Sequence, residues 1–427
     1  MGASMRSVLL LQGPLGPFFQ RFSRFLDGQG IRVHKLNFNG GDDAWPCAGT
    51  NTSYHGSLPD WPRYLADFVK SHRIDAVFCY NDCRAYHLKA RHYCLEHKID
   101  FYVFEEGYLR PDYITLEKGG VNAHSPWYGR LASLLASQAP TDDEQLHFAV
   151  APTFNKRIYY AIRYYLGMQL NAGRFSHYVH HRHRPCWTEG TSWLKGWYTK
   201  LSHKAHDREQ QQRLIDHHSG NIFLIPLQVA DDFQIRAHSP FKDVAQAISH
   251  IMDSFATNAA ADDVLVLKHH PMDRGYSNYR RQIKRHCTRL GLNNRVFYGF
   301  EFSLPELYRH CKGVVTINST VGISALLHKV PTLTLGKALY DLPGLTSQCG
   351  LDTFWQRPEP VNHPLFTQLR LFLLSHTQVN GSFYGEYKKT CEQVWQRLGE
   401  SSQLDNTHPK PVLIEADIPE APLQQAS

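Results

Sequence analysis

No segment of the chain runs for eighteen uninterrupted apolar residues, so no membrane-spanning helix is expected. The opening stretch MGASMRSVLLLQGPLGPFF holds a short apolar run with no small-residue cleavage site behind it, which argues against secretion. Peripheral membrane contact stays open. The nine cysteines (47, 79, 83, 94, 186, 287, 311, 349 and 391) lack CxxC spacing and are odd in number. A disulfide framework is disfavoured, and a reduced, cytosolic compartment is expected. There is also no HExxH, no GxGxxG and no Walker loop. HHRHR at 180–184 sits in a basic segment that disfavours a cation, so neither a metal nor a cofactor is expected.

What is present points to a two-domain protein. At 427 residues and 49.1 kDa the chain exceeds what one hydrophobic core organises. Its 42% hydrophobic and 20% charged residues are those of a globular protein, and only the polar tail over 401–427 reads as disordered. The net charge of +7 is concentrated: residues 151–215 carry eleven Lys/Arg against three Asp/Glu, with eleven aromatics among them. Within that segment FNKRIYYAIRYYLGMQL (154–170) places Phe154, Ile158, Ile162, Tyr165 and Leu166 on one helical face, with Lys156, Arg157 and Arg163 elsewhere. It reads either as a helical linker packed on a domain or as a basic aromatic surface approaching anionic lipid headgroups. No nucleic-acid motif accompanies the charge, so nucleic acid is not an expected partner.

Apolar runs alternate with amphipathic stretches in two blocks. SVLLLQG, IRVHKLNF, IDAVFCYND and IDFYVFEEG belong to the first, and IFLIPLQ, DVLVLKHHP, RVFYGF, GVVTINS and TLTLG to the second. Strands separated by helix-length segments predict parallel, doubly wound α/β sheets. The expected division is a Rossmann-like domain over 1–145, a basic helical insertion over 146–215, a second Rossmann-like domain over 216–355, and C-terminal helices over 356–400, the two Rossmann-like domains facing a cleft.

Open α/β sheets keep ligands at the carboxyl ends of their strands, so the candidates are what each run delivers there. The first is a cleft loop of Gln12, Gly13 and Gly16, where glycine lets backbone N–H groups approach a ligand or simply makes a turn. The second is Glu105, Glu106 and Gly107. Adjacent strand residues face opposite ways, so only one glutamate of the pair should point into the cleft, where it either does general acid or base work or is a plain surface carboxylate, while the other is solvated or salt-bridged. The third is Asp231 and Asp232 after IFLIPLQVA; three other DD pairs show that position, not the dipeptide, carries the meaning. The fourth is Lys268, His269 and His270 before Pro271, where a histidine could bond a phosphate or merely pack at the turn. The fifth is Asn318, Ser319 and Thr320 ahead of Gly322, which cap a helix or hold an anion at its N-terminus.

QGPLGPFF, YNDCRAYH (80–87), FEEGYLRPDYITLE (104–117), PLQVADDFQI (226–235), KHHPMD and NSTVGISALL together resemble the KpsS/LipB-type capsule polysaccharide biosynthesis proteins, in order from about residue 8 to about 345. That resemblance implies a GT-B-like glycosyltransferase that uses CMP-β-Kdo, an acidic eight-carbon sugar on a nucleotide, as donor substrate. It implies transfer of β-linked Kdo to phosphatidylglycerol or its lyso form, starting the lipid linker of an exported capsule. The protein would then be cytoplasmic, associated peripherally with the inner face of the cytoplasmic membrane, with other capsule biosynthesis and export proteins as further partners. Related β-Kdo transferases carry Q-x-x-x-D, which falls on Gln228 and Asp232; here Gln234 stands where they tend to have serine. By the same resemblance Asp232 is the nucleophile, Glu105 or Glu106 the acid or base, and His270 a catalytic donor. Gln228, Lys268, His269, Pro271, Asn318, Ser319, Thr320 and Gly322 are donor-binding, and Arg110 joins the cleft loop. Another CMP-sugar transferase of sialyltransferase type, or a non-catalytic export subunit, is the alternative.

Overall fold

The computed structural model describes residues 5–137, 147–180, 186–230 and 233–403. Asp231, Asp232, His181 to Arg184 of HHRHR and most of the expected tail therefore lie outside the described residues.

In the first domain the strands are β1 (Ser7–Leu10), β2 (Arg32–Asn37), β3 (Thr50–Ser53), β4 (Ala76–Tyr80), β5 (Asp100–Glu106) and β6 (Tyr113–Lys118). Its helices are α1 (Phe18–Gly28), α2 (Trp61–His72), α3 (Ala85–Glu96) and α4 (Leu131–Ser137), and the insertion supplies α5 (Phe154–Leu170) and α6 (Cys186–His218). The second domain holds β7 (Ile222–Pro226), α7 (Phe233–His238), α8 (Val244–Asn258), β8 (Val264–Lys268), α9 (Arg280–Leu290), β9 (Val296–Gly299), α10 (Leu304–Tyr308), β10 (Cys311–Thr316), α11 (Val321–Leu327), β11 (Thr332–Thr334) and α12 (Leu351–Phe354). The chain then forms α13 (His363–His376), β12 (Gln378–Asn380) and α14 (Tyr387–Gln403).

The first sheet has the order β12-β6-β5-β4-β1-β2-β3 and the second β11-β10-β7-β8-β9. All pairs are parallel except β5 with β6 and β6 with β12. The unbroken apolar runs are explained by cover on both faces. Phe18, Phe22, Phe78 and Phe104 fill one side of the first sheet beneath α1 and α14, while Trp61, Leu65, Val77 and Val103 fill the other beneath α2 and α3. Each sheet reverses its strand order at one point, between β1 and β4 in the first and between β7 and β10 in the second. Such switch points open crevices, and among the described candidates Gln12 after β1, Gln228 after β7 and Asn318 after β10 lie at one.

Two expectations are corrected. The span 356–400 is not helices alone: β12 pairs with Thr115, Ile114 and Tyr113 of β6, and α14 packs on α1, so the chain returns to the first domain. A three-residue strand is too short to show alternation in sequence. Strands β3 and β6 were likewise absent from the sequence expectation.

The domains are joined by a shared apolar cluster in which Tyr108, Trp127 and Leu131 meet Ile323, Leu326, Leu345, Phe366 and Leu369. No described helix is long and apolar enough to cross a membrane.

Candidate active site

β5 delivers Glu105 and Glu106 to opposite faces of the sheet edge, as the two-residue period requires. Their surroundings differ accordingly. Glu106 Oε1 receives the Arg157 guanidinium of α5 at 3.4 Å and the Tyr384 hydroxyl at 3.3 Å, with Arg157 itself 4.6 Å over the Tyr384 ring. Glu105 has no cation. Its Oε1 accepts the backbone N–H of Glu106 at 3.0 Å and its Oε2 is closed off from solvent, with the Tyr80 hydroxyl as the carboxyl's other polar neighbour. Burial, reinforced by the charges of Glu106 and Asp82, raises its pKa to about 7. A carboxyl poised at neutral pH can take or give a proton, and Glu105 is so poised.

Gly107 follows because a side chain there would strike the Tyr113 carbonyl of β6. The bend lets Tyr108 and Leu109 donate their N–H groups to Gln378 Oε1 of β12, and it ends at exposed Arg110, whose Nε donates to the Gly107 carbonyl at 3.1 Å. Gln12 is turned away from open space. Its amide donates to Asp42 at 3.0 Å and to the Tyr178 hydroxyl at 3.2 Å, in a buried polar knot that also takes in Tyr164 of α5. Gly13 lies under the Phe19 ring, and Gly16, at φ 109°, faces Tyr160 of α5. The cleft loop is thus roofed by the insertion.

In the second domain Gln228 and Asn318 bridge the switch point through a two-way amide pair: Gln228 Nε2 donates to Asn318 Oδ1 at 3.0 Å, and the Asn318 backbone N–H donates to Gln228 Oε1 at 3.2 Å. Gln228 therefore ties the β7 edge to the β10 edge. Ser319 Oγ accepts the Val321 N–H, its carbonyl accepts the Tyr340 hydroxyl, and Gly322 leaves room for that phenol. Thr320 stands half-exposed at the start of α11.

The β8 edge separates its histidines. His269 is buried, with Nδ1 2.7 Å from the Tyr298 hydroxyl and its ring packed on Phe300, and burial pulls its pKa down to about 4. His270 is half-exposed. Burial, then Lys268, His269 and Arg110, lower its pKa to about 3, so it is a neutral imidazole. Its Nδ1 accepts the Met272 N–H at 3.2 Å, which leaves the proton on Nε2 as an outward donor. Pro271 opens the turn that supplies this amide. Lys268 is buried beneath, its pKa lowered to about 8 by burial and by Arg274.

The influence of Arg110 on His270 brings the two domains' candidates together across the cleft. A cavity of about 550 Å³ between the domains is lined by Arg110, Asp112, Tyr308, Thr320, Ser324 and Arg370. Glu105 and His270 are outside its lining.

Sequence reasoning missed a buried cluster at the domain junction. Asp82, on the turn after β4, holds His124 Nδ1 at 3.1 Å and takes a bond from Cys83 Sγ at 3.4 Å, while His124 meets His238 of α7 at 5.1 Å between rings. Ligand atoms of Cys83, His124 and His238 lie within 4.8 Å of one another, close enough to hold a metal ion. The YNDCRAYH string contained two of these four residues, but nothing in its spacing pointed to histidines 41 and 155 residues beyond Cys83. Arg157 and Tyr384, the partners of Glu106, were equally invisible.

The sequence model of the family described as capsule polysaccharide biosynthesis protein matches residues 75–384, which span every strand-end candidate except the cleft loop. The chain belongs to this family. Among capsule polysaccharide relatives, LipB of Neisseria meningitidis, a capsule polysaccharide modification protein, is 40% identical over 90% of this chain and 93% of its own length. KpsS of Escherichia coli, a capsule polysaccharide export protein, is 39% identical over 89% of this chain and 97% of its own. Among solved structures, the β-Kdo 2,7 transferase of Thermosulfurimonas dismutans KpsC aligns at 12% identity and a TM-score of 0.46, covering 92% of this chain and 99% of that one.

Proposed function

We propose that the protein is a retaining glycosyltransferase that moves β-Kdo from CMP-β-Kdo to phosphatidylglycerol or its lyso form, at the inner face of the cytoplasmic membrane and alongside other capsule proteins. Family membership and two Rossmann-like sheets facing a cleft support a capsule-pathway glycosyltransferase. The single observation that carries the chemistry is the asymmetry of the β5 edge, where Glu106 is neutralised by Arg157 and Glu105 is left with a carboxyl near neutrality.

A β-configured donor and a β-linked product require two inversions. In the first, an Asp232 carboxylate oxygen attacks the anomeric carbon as the carbon–oxygen bond to phosphate breaks and CMP departs with the electron pair, leaving a Kdo–aspartyl ester. In the second, Glu105 takes the proton of the lipid hydroxyl while its oxygen displaces Asp232. The leaving phosphate has donors in His270 Nε2, Arg110, Ser319 and Thr320. Gln228 holds Asn318 in place rather than facing the sugar, and Lys268, His269 and Gly322 support the wall from behind.

Mass spectrometry of a synthetic phosphatidylglycerol analogue incubated with CMP-Kdo generated in situ tests this directly. A gain of one Kdo is expected, with the product lost in Asp232→Ala. Release of CMP only from a different CMP-sugar, or from none, would overturn the reading.

A further inference from the structure

The face of α5 that alternates apolar residues in sequence is not its packing face. The helix is seated on the first domain by Tyr160, Ala161, Tyr164 and Gly167: Tyr160 meets Gly16 and bonds the Tyr387 hydroxyl at 3.0 Å, Tyr164 accepts from the Asn39 amide at 2.8 Å, and Gly167 lies against the backbone of Gly40. Tyr159, Ile162, Leu166 and Leu170 therefore point outward, 56%, 59%, 56% and 75% exposed. At 100° per residue these four fall within an arc of about 80°, one continuous apolar stripe. Phe154, 56% exposed at the start of the helix, lies under Lys200 Nζ at 5.3 Å, so α6 meets α5 there and adds exposed Tyr198 and Leu201. A contiguous exposed patch of this kind on a globular chain marks an interaction surface.

The charge around it selects the partner. α5 contains no acidic residue, exposed Lys156 and Arg163 flank the stripe, and Lys195 and Lys204 stand exposed on α6. Apolar residues ringed by cations suit a surface that is apolar inside and anionic at its rim.

We infer that the outer face of α5, extended by Tyr198 and Leu201, is a docking surface that inserts into an anionic phospholipid bilayer. The inference deepens the lipid-acceptor reading and rests on it for its purpose. The opposite face of the same helix carries Arg157 to Glu106, the neighbour of Glu105. Docking thus brings the headgroup layer to within about one helix diameter, roughly 10 Å, of the acid/base end of the cleft.

The binding measurement itself needs no donor. Full-length protein should sediment with vesicles containing phosphatidylglycerol, more weakly as salt is raised, and much less with phosphatidylcholine alone. Ile162→Glu with Leu166→Glu should reduce that binding more than tenfold. CMP release with a short-chain, water-soluble phosphatidylglycerol analogue should stay within twofold of wild type, which also shows that the variant is folded. Equal sedimentation of variant and wild type, or of wild type with neutral and anionic vesicles, would overturn the inference. So would light scattering that shows a wild-type dimer made monomeric by the variant, since the stripe would then belong to a second copy. Vesicle binding without CMP release in wild type would instead sink the acceptor reading and leave the docking surface standing.

Discussion

Glu105 and Glu106 are neighbours in the chain with opposite fates, and half of that was legible in sequence. The two-residue strand period requires them to face apart. Which one keeps a free carboxyl depended on Arg157 and Tyr384, 51 and 278 residues away from Glu106, and no local signal carries that information. With Glu105 acting as base, it must be ionised, so kcat/KM should rise with pH through about 7. Glu105→Gln should lower kcat by roughly 10²- to 10⁴-fold and abolish that limb, measured as CMP release across pH 5–9. The same raised pKa means the folded state prefers the proton. Stability of the wild type should fall as pH climbs from the ordinary glutamate range through about 7, and the glutamine variant should lack that part of the fall. Asp232, singled out by the family resemblance, lies outside the described residues, and its role stays with the proposed mechanism.

At the scale of elements, the parallel strands announced themselves because burial on both faces writes them as continuous apolar runs. Three others did not: β3 is Thr-Asn-Thr-Ser, β12 has three residues, and β6 begins inside the FEEGYLRPDYITLE string, where Arg-Pro masks its start. The switch point of the second sheet is bridged by the Gln228–Asn318 amide pair. Gln228→Ala removes both bonds, a cost of about 1–3 kcal/mol. Denaturant unfolding of the second domain should register it. Because the Asn318–Thr320 turn loses its anchor, KM for the donor should rise more than kcat falls.

Across the whole molecule, two domains, a cleft and a basic insertion were readable from rhythm and charge, whereas the return of β12 and α14 to the first domain and the junction cluster of Cys83, His124 and His238 were not, because both are made by closure in three dimensions. The proposed transfer places neutral and cationic donors on the leaving phosphate, so no step requires a metal. Transfer should proceed unchanged in the presence of a strong chelator. Activity lost to the chelator and restored by zinc would instead give that cluster a resident ion joining the two domains.

Arg157 couples two events that otherwise look separate. It stands on the helix whose far side is assigned to the bilayer, and its charge quiets Glu106, whose own charge raises the Glu105 pKa. Arg157→Gln should therefore move the pH limb of CMP release upward, the sign expected when an unneutralised neighbour makes the second carboxyl harder to ionise. Any influence of lipid on that ion pair must act on the proton of Glu105, and by reciprocity the proton must act on lipid affinity. The enzyme's pH optimum on vesicles and in free solution should then differ, making surface attachment and proton transfer two readings of one equilibrium.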